Sequence, residues 1–262
     1  MTWFDVLILA VVQGVAEFLP ISSSGHLVLL GALLNVKDES ATLDILLHTG
    51  SLGSILVVFW KRIWALLWSD RRVIPMLVVG TLPAVLVGLT LKLQFPHILR
   101  NPLLTGCMLL VTGGLLLSVR WLPQGHFQYT QFSLWRALVV GCFQAVAILP
   151  GISRSGSTIV GGRLLGLKNE DAVTFSFLLA IPAILGATVL ALKDLRDSQP
   201  SSEELLLVTG GALVAFVIGI GALLWLIRWA RQGRIEWFAY WCIPVGLLTI
   251  FAWQSGYGAV GG

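Results

Sequence analysis

Charge is scarce in this chain of 262 residues. Charged residues make up 11% of it and hydrophobic residues 56%, whereas a soluble domain has about 25% charged residues. The mean hydropathy is +0.88. A soluble all-helical protein would need many more polar faces on its helices. The composition therefore predicts an all-α integral membrane protein.

Cysteine is scarce as well, and several catalytic motifs are missing. Cys107, Cys142 and Cys242 lie in apolar segments without the spacing of metal ligands, which favours a role in helix packing. The sequence contains no Walker A loop, no H-E-x-x-H motif and no Rossmann fingerprint. Neither nucleotide hydrolysis nor a structural zinc site is therefore supported.

Two further absences concern targeting and partners. Asp5 stands where a signal peptide would be basic, so we expect no cleaved signal peptide. The net charge of +4 includes no dense basic cluster. We interpret it as a determinant of membrane orientation and expect no nucleic acid as a partner.

Long apolar runs are what the chain has in abundance. A run of about 18 residues or more can cross a hydrocarbon core about 30 Å thick. Tryptophans near the ends of several runs are typical of anchoring at the membrane surface. We therefore expect six full transmembrane helices, in the runs 43–60, 74–91, 102–119, 172–192, 205–227 and 237–254.

The chain also resembles itself at a shift of 131 residues, half of its length. Residues 13–26 (QGVAEFLPISSSGH) then align with residues 144–157 (QAVAILPGISRSGS), and polar and glycine positions match as well as apolar ones. The sequence therefore predicts two repeats, 1–131 and 132–262, that together form one membrane domain.

Each repeat begins with an apolar segment that a proline interrupts. Pro20 and Pro150 disfavour continuation of a helix, and the serines and glycines that follow can cap a new one. We interpret residues 6–34 and 137–166 as re-entrant helical hairpins, each followed by three spans. An odd number of spans inverts the second repeat, and interrupted helices in inverted repeats mark functional sites.

Basic residues predict the orientation. Eleven of the 17 Lys and Arg residues fall on the side of the loop 61–73, and Arg154 falls inside the membrane. The positive-inside rule places that side in the cytoplasm and both termini outside, with the first hairpin entering from the outer face. The other side holds five basic residues: Lys37, Lys92, Arg100, Lys193 and Arg196.

The two hairpin loops predict an anion site. Each loop, at 18–27 and 149–158, leads into a helix N-terminus, whose free N–H groups and positive dipole end attract anions. Arg154 would add a planar fork of donors that suits phosphate, and an arginine at this depth favours a functional role. The alternative is a structural ion pair between Arg154 and Glu17.

Three side chains beside the first loop suggest chemistry. Glu17 lies one helical turn after Gln13, where a carboxylate can bind a divalent cation or move a proton, or can merely accept hydrogen bonds from the loop. His26 lies close to the serine hydroxyls and is a candidate catalytic group, although a lone histidine is usually structural. We expect structural roles for His48 and Asp44.

These motifs resemble those of the undecaprenyl-diphosphate phosphatase family of the bacitracin-resistance type. Gln13-x-x-x-Glu17, FLPISSSGH at 18–26 and PGISRSGST at 150–158 match that family's motifs in order, and the similarity runs over essentially the whole chain. The resemblance implies an integral membrane hydrolase that removes the terminal phosphate of undecaprenyl diphosphate. It also implies a divalent cation such as Mg²⁺ or Ca²⁺, recycling of the cell-wall lipid carrier and bacitracin resistance.

The resemblance also implies roles for single residues. Glu17 would be the essential acid and a ligand of the cation, and Ser23 the nucleophile with His26 as its proton partner. Arg154 would hold the diphosphate. Gln13 replaces a second glutamate found in other members, which puts a two-carboxylate metal site in doubt. The remaining substrate-binding positions would be Gln13, Ser22, Ser24, Gly25, Ser153, Ser155, Gly156 and Thr158.

Other functions remain open at this point. An inverted repeat with interrupted helices is also typical of transporters, so the chain could carry an anion or flip a lipid. The enzyme is favoured because the two loops differ: Glu17, Ser23 and His26 align with Ile148, Arg154 and Ser157. We expect a bacterial inner-membrane protein, surrounded by membrane lipids, with its site open to the periplasmic face. A homodimer is left open.

Overall fold

The computed structural model describes residues 2–33, 41–198 and 201–255. Over these ranges the chain is helical, with a single isolated β-bridge between Phe127 and Leu167. The predicted all-helical architecture is confirmed. The α-helices of the described residues are α1 (Trp3–Ala16), α2 (Ser23–Leu33), α3 (Ala41–Val58), α4 (Trp60–Leu67), α5 (Val73–Gln94), α6 (Pro102–Ser118), α7 (Leu134–Val146), α8 (Arg154–Leu164), α9 (Asn169–Ser198), α10 (Ser202–Arg231) and α11 (Ala239–Gln254).

The protein crosses the membrane several times. Five helical segments of the described residues are long and apolar enough to span it: Val73–Gln94, Pro102–Trp121, Asn169–Val189, Ser202–Arg231 and Ile235–Gln254. The number is six if α3 and α4 together count as one span. The multi-pass prediction is confirmed, and five of the six predicted runs coincide with continuous helices.

The first predicted run, 43–60, differs because it lies almost entirely in α3 and ends at the bend into α4. The two helices meet at an angle of 74°, and Phe59 between them has the non-helical angles φ −99° and ψ 14°. Along α4, Ile63 and Leu66 pack on the core, whereas Trp60 and Trp64 are exposed. An amphipathic helix of this kind is more stable along the membrane surface than across the hydrocarbon core.

The two segments with a central proline each fold as two short helices joined by a non-helical loop. α1 ends before residues 17–22 and α2 follows them; α7 ends before residues 147–153 and α8 follows them. The helix breaks predicted around Pro20 and Pro150 are confirmed. Residues 17–22 are all buried, as irregular backbone at membrane depth must be.

The helices of the two halves are interleaved. The short helix α1 packs on α10, and the corresponding helix α7 packs on α5. The pairs α3–α10 and α6–α11 also join one half to the other. Close approach of α7 to α5 depends on small residues, because a Cβ added to Gly141 would clash with the backbone of Gly80.

An aromatic core fixes the first loop. Phe18 is fully buried, and the centre of its ring lies 5.7 Å from that of Phe177 on α9. Phe59 contacts the same ring from another side, at 5.9 Å. The loop that follows Glu17 is therefore anchored to α9, which belongs to the other half of the chain.

Candidate functional site

Two serines cap the helices that leave the loops. Ser22 Oγ accepts a hydrogen bond from Gly25 N at 3.3 Å, and Ser153 Oγ accepts one from Gly156 N at 3.1 Å. The two caps stand 131 residues apart, as the alignment of the repeats predicts. The free N–H groups of both helix N-termini therefore lie at the two loops.

A second pair of equivalent serines, Ser24 and Ser155, repeats the same pattern. Ser24 Oγ lies 3.4 Å from Ser22 Oγ, and Ser155 Oγ lies 3.2 Å from Ser153 Oγ. Ser24 is exposed, whereas Ser155 is buried. The local geometry of the loops is thus similar, but the first is more accessible than the second.

The two loops contact each other directly. Ser22 Oγ donates to Ile152 O at 3.5 Å, and Ser155 Oγ donates to Leu19 O at 3.4 Å. A Cβ added to Gly25 would lie 3.0 Å from the Cα of Gly151. The structure therefore brings the two predicted loops together at one place.

Each loop contains one residue with a left-handed backbone. Gly151 has φ +95°, which glycine adopts at no steric cost. Ser22 has φ +72°, a conformation that is uncommon outside glycine and costs about 1–3 kcal/mol. Such strain concentrates at functional sites, and here it lies next to the predicted nucleophile, Ser23.

Glu17 is the centre of the hydrogen-bond network. It follows the last residue of α1, and its side chain is buried. Its Oε1 accepts a hydrogen bond from Arg154 Nη2 at 2.5 Å. Its Oε2 accepts from Ser23 Oγ at 2.6 Å and from Gln13 Nε2 at 3.2 Å. One carboxylate therefore joins Ser23, the nucleophile predicted in the first loop, to the guanidinium of Arg154 in the second loop.

Arg154 reaches this carboxylate from the first turn of α8. Its side chain is 17% exposed, and its guanidinium carbon lies 5.8 Å from the centre of the Phe177 ring. Its Nη1 is buried and has no hydrogen-bond partner among the described residues. The ion pair with Glu17, an alternative left open by the sequence, is present, and it leaves half of the guanidinium fork available.

The hydrogen bonds of His26 differ from those expected of a partner of Ser23. Its Nδ1 lies 2.8 Å from Ser22 O, and its Nε2 lies 2.9 Å from Nε1 of Trp241. Ser23 donates to Glu17 instead. The pairing of Ser23 with His26 stays a prediction, and in this geometry the group placed to take the Ser23 proton is Glu17.

Gln13 and its counterpart Gln144 are both buried. Oε1 of Gln13 has no hydrogen-bond partner among the described residues, and neither has Oε1 or Nε2 of Gln144. A buried amide without a partner is costly. These atoms are therefore available to a ligand, an ion or water.

Thr158 lies away from the space between the loops. Its Oγ1 is within 2.8 Å of Arg154 O on the preceding turn and 2.5 Å of Ser176 Oγ on α9. These contacts fasten α8 to α9. Thr158 thereby holds the turn of α8 that carries Arg154, and its role in substrate binding stays a prediction.

Sequence reasoning missed several residues that hold the site. Thr112 Oγ1 donates to Gly151 O at 2.8 Å and accepts from Ser153 N at 3.1 Å, so that α6 fixes the second loop. His48, for which the sequence predicts a structural role, lies near the carboxylate, with its Nε2 3.9 Å from Glu17 Oε2. The side chain of Asp44 lies outside what the structure describes. Only a map of contacts distant in sequence would have identified Thr112 and His48.

A small cavity lies where these residues converge. Its volume is about 30 Å³, which is the room of about one water molecule. A lipid diphosphate needs more space, so its binding requires side chains at the site to move. The cavity is lined by Ala16, Glu17, Ser22, Ser23, Ser24, Ala147, Ile152, Ser153 and Arg154.

The donor set fits one kind of metal ion. Among the described residues no group of three or more His, Cys, Asp or Glu is placed to hold an ion. Glu17 does supply a carboxylate, and the buried Oε1 of Gln13, which lacks a partner, supplies an amide oxygen. Mg²⁺ is usually bound by one or two carboxylates together with waters and substrate phosphates. The residues present therefore fit a hard cation that is shared with a diphosphate.

Comparison with known proteins agrees with this chemistry. Residues 6–248 match the family model described as bacitracin resistance protein BacA. The undecaprenyl-diphosphatase of Rhodopirellula baltica is 65% identical over 246 residues, which cover 94% of this chain and 96% of the relative. The undecaprenyl-diphosphatase of Desulfosudis oleivorans is 40% identical and covers 94% and 96%. That of Desulfatibacillum aliphaticivorans is 37% identical and covers 96% and 99%.

Proposed function

The chain belongs to the bacitracin resistance protein BacA family, and we propose that it is an undecaprenyl-diphosphatase whose reaction takes place between its two loops. It hydrolyses the terminal phosphate of undecaprenyl diphosphate and releases undecaprenyl phosphate and phosphate. It thereby recycles the lipid carrier of cell-wall synthesis and supports resistance to bacitracin.

One observation supports the site most directly: Glu17 accepts hydrogen bonds from both Ser23 and Arg154. A hydroxyl, a base and a guanidinium are the groups that transfer of a phosphoryl group to a serine requires. Ser23 and Arg154 begin α2 and α8, and the N-termini of these two helices favour a multiply charged anion.

Binding of the diphosphate begins with Arg154. The cavity is too small for the head group, so Arg154 turns from Glu17 toward the phosphate oxygens and offers both arms of its fork. Its Nη1, which has no partner among the described residues, is the arm available first. The N–H groups at the starts of α2 and α8 bind the remaining oxygens.

The first chemical step forms a phosphoserine. Ser23 Oγ attacks the terminal phosphorus as the bond from that phosphorus to the bridging oxygen breaks, and undecaprenyl phosphate leaves. The Ser23 proton passes to Glu17 Oε2, which already accepts its hydrogen bond at 2.6 Å. Arg154 stabilises the charge that develops on the phosphate oxygens.

The second step restores the enzyme. A water attacks the phosphoserine, phosphate leaves, and Glu17 returns the proton to Ser23 Oγ. His26, assigned as a proton partner from the sequence, accepts the proton of the water and then releases it to solvent. Direct attack of a water on the diphosphate, without a phosphoserine, is the competing route.

A divalent cation fits this site, with Glu17 and Gln13 as its protein ligands. When bound, it neutralises charge on the phosphate oxygens. Because Gln13 supplies an amide and not a carboxylate, the cation would be held mainly by the substrate and by waters.

The architecture that carries the site is an inverted repeat. Residues 1–131 and 132–262 are its two halves and together form one membrane domain, with α1–α2 and α7–α8 as re-entrant hairpins. This is supported by the equivalent serine caps of the two loops and by the packing of α1 on α10 and of α7 on α5. Whether two copies associate as a homodimer stays a prediction.

The chain lies in the bacterial inner membrane with its site open to the periplasm, as the distribution of Lys and Arg indicates. Single cysteines at Ser69 and Ser201, in a background without the native cysteines, test this sidedness. We expect a membrane-impermeant thiol reagent to label position 201 from outside and position 69 only after permeabilisation. The reverse pattern would overturn the orientation. Ser40, on the same predicted side as Ser201, lies outside the described residues.

Phosphate release by the purified protein in liposomes tests the function. We expect release from undecaprenyl diphosphate, and loss of that release in Ser23→Ala. The matched control is Ser69→Ala, an exposed serine distant from the loops. Uptake of phosphate or movement of lipid without hydrolysis would identify a transporter instead.

A further inference from the structure

Trp241 connects the second half of the chain to the first loop. It lies on α11, and its indole Nε1 is 2.9 Å from Nε2 of His26 on α2, 215 residues earlier in the chain. The planes of the two rings are 14° from parallel and their centres are 6.1 Å apart, so the rings meet edge to edge through this hydrogen bond. Neither the motifs of the sequence nor the comparisons assign a role to Trp241.

The hydrogen bonds determine the chemical form of His26. A carbonyl oxygen only accepts, so His26 Nδ1, which lies 2.8 Å from Ser22 O, carries a proton. An indole N–H only donates, so His26 Nε2 contributes a lone pair. Both bonds are satisfied together only by the neutral Nδ1–H tautomer, and a doubly protonated imidazolium would lose the bond to Trp241.

This contact differs from ordinary core packing. Trp241 is 52% exposed, and α11 packs chiefly on α6. The next residue, Cys242, contacts the same loop, with its Sγ 3.7 Å from Pro20 O. α11 therefore approaches the first loop at two points, one on each side of the serine run.

We propose that Trp241 is a positioning residue for His26: its indole N–H holds the imidazole as the neutral Nδ1–H tautomer, with Nε2 as the nitrogen that accepts a proton. The orientation and tautomer of a catalytic histidine are commonly set by the partner of its other nitrogen. Here both nitrogens have a partner, and Trp241 is the one that the proton donor, the attacking water, must replace during turnover. The assignment rests on the proposed function, because it assumes that His26 acts in hydrolysis.

Nitrogen NMR of the purified protein, labelled at histidine, tests the contact without any activity. We expect the His26 signals of a neutral ring protonated at Nδ1, and a shift of the Nε2 resonance in Trp241→Phe, which keeps an aromatic ring but removes the donor. Trp253→Phe, on the same helix, is the control and should leave the His26 signals unchanged. A ring protonated at Nε2, or no response to Trp241→Phe, would overturn the proposal.

A double-mutant cycle tests the role in catalysis. Loss of one neutral hydrogen bond should lower kcat by about threefold to tenfold in Trp241→Phe, with little change in KM. In a His26→Ala background the same substitution should have no further effect, because the residue through which it acts is gone. An equal loss in both backgrounds would show that Trp241 supports the fold and would refute the positioning role.

The two tests separate the proposal from the function on which it rests. If the wild-type protein releases no phosphate from undecaprenyl diphosphate, the function is wrong, and the NMR result still decides whether the indole binds His26. If the wild-type protein is active and Trp241→Phe keeps full activity with unchanged His26 signals, the positioning role alone is wrong.

Discussion

Ser23 donates a hydrogen bond to Glu17 Oε2 across 2.6 Å, while Arg154 binds the other oxygen of the same carboxylate. The carboxylate is thus shared between Ser23, the proposed nucleophile, and the guanidinium of Arg154. Movement of Arg154 to the diphosphate would leave Ser23 and Gln13 as the hydrogen-bond partners of Glu17. In the proposed mechanism, substrate binding and activation of Ser23 are coupled through Glu17.

Glu17→Gln should lower kcat by about a hundredfold or more, because an amide has the same shape but cannot take the serine proton. Steady-state phosphate release measures this. Glu170→Gln is the matched control, since Glu170 pairs with Arg231 at 2.6 Å on the exposed surface, where an ion pair contributes little. Near-normal turnover of the Glu17 variant would exclude Glu17 as the base.

Arg154→Lys should lower activity by about tenfold or more, because lysine keeps the charge but loses the two-armed contact with phosphate. The loss should appear in kcat and in KM, since Arg154 binds the ground state as well as the transition state. Arg231→Lys, on the exposed pair, is the control. Unchanged kinetics of the Arg154 variant would show that the ion pair of Arg154 with Glu17 is structural only.

Gly25→Ala should separate the two loops. The added Cβ would lie 3.0 Å from Gly151 Cα and 3.1 Å from Gly151 N, and backbone yields less readily than a side chain. A shift of a few tenths of an ångström would misalign Ser23 and Arg154, so we expect a clear fall in kcat. Gly114→Ala is the control, because its Cβ would meet nothing within 4 Å. Equal activity of both variants would contradict close packing of the loops.

Tyr129, on the side predicted to be cytoplasmic, should make stability depend on pH. Its hydroxyl donates to Asp70 Oδ2 at 2.7 Å, and burial together with Asp70 raises the pKa of Tyr129 from 10.0 to about 12. A pKa raised by folding stabilises the protein fully below the unfolded value, and this stabilisation disappears as the pH rises through the folded value. Thermal unfolding in detergent should therefore show a falling midpoint between pH 10 and 12.

Tyr129→Phe is the comparison for that measurement. It should unfold at a lower temperature near neutral pH, because one hydrogen bond of about 1 kcal/mol is lost. It should also show a shallower decline between pH 10 and 12 than the wild type. Parallel curves for the two proteins would contradict this assignment.

Local patterns predicted the parts of the molecule that depend on local chemistry. Proline followed by serine and glycine indicated the helix breaks at Pro20 and Pro150, and the internal alignment indicated the equivalent caps Ser22 and Ser153. The isolation of Arg154 in an apolar segment favoured a functional role, with an ion pair to Glu17 as the alternative, and the structure contains that ion pair. In each case a residue and its neighbours in the sequence are enough to predict the feature.

Contacts between distant segments could not be predicted in this way. The bond between Trp241 and His26, the support of the second loop by Thr112 and the proximity of His48 to Glu17 depend on how long helices cross. The bend between α3 and α4 occurs at Phe59, without a proline or glycine at that position to signal it. Tertiary packing determines all of these features, and no short pattern encodes it.

Trapping of the phosphoryl group on the protein tests the proposed mechanism most directly. Purified protein is mixed with undecaprenyl diphosphate labelled in its terminal phosphate, quenched within one turnover, digested and analysed by mass spectrometry. The mechanism predicts labelled phosphate on Ser23, none in Ser23→Ala, and continued labelling in Ser24→Ala. Complete hydrolysis in one turnover with no labelled protein, or substantial turnover by Ser23→Ala, would contradict it.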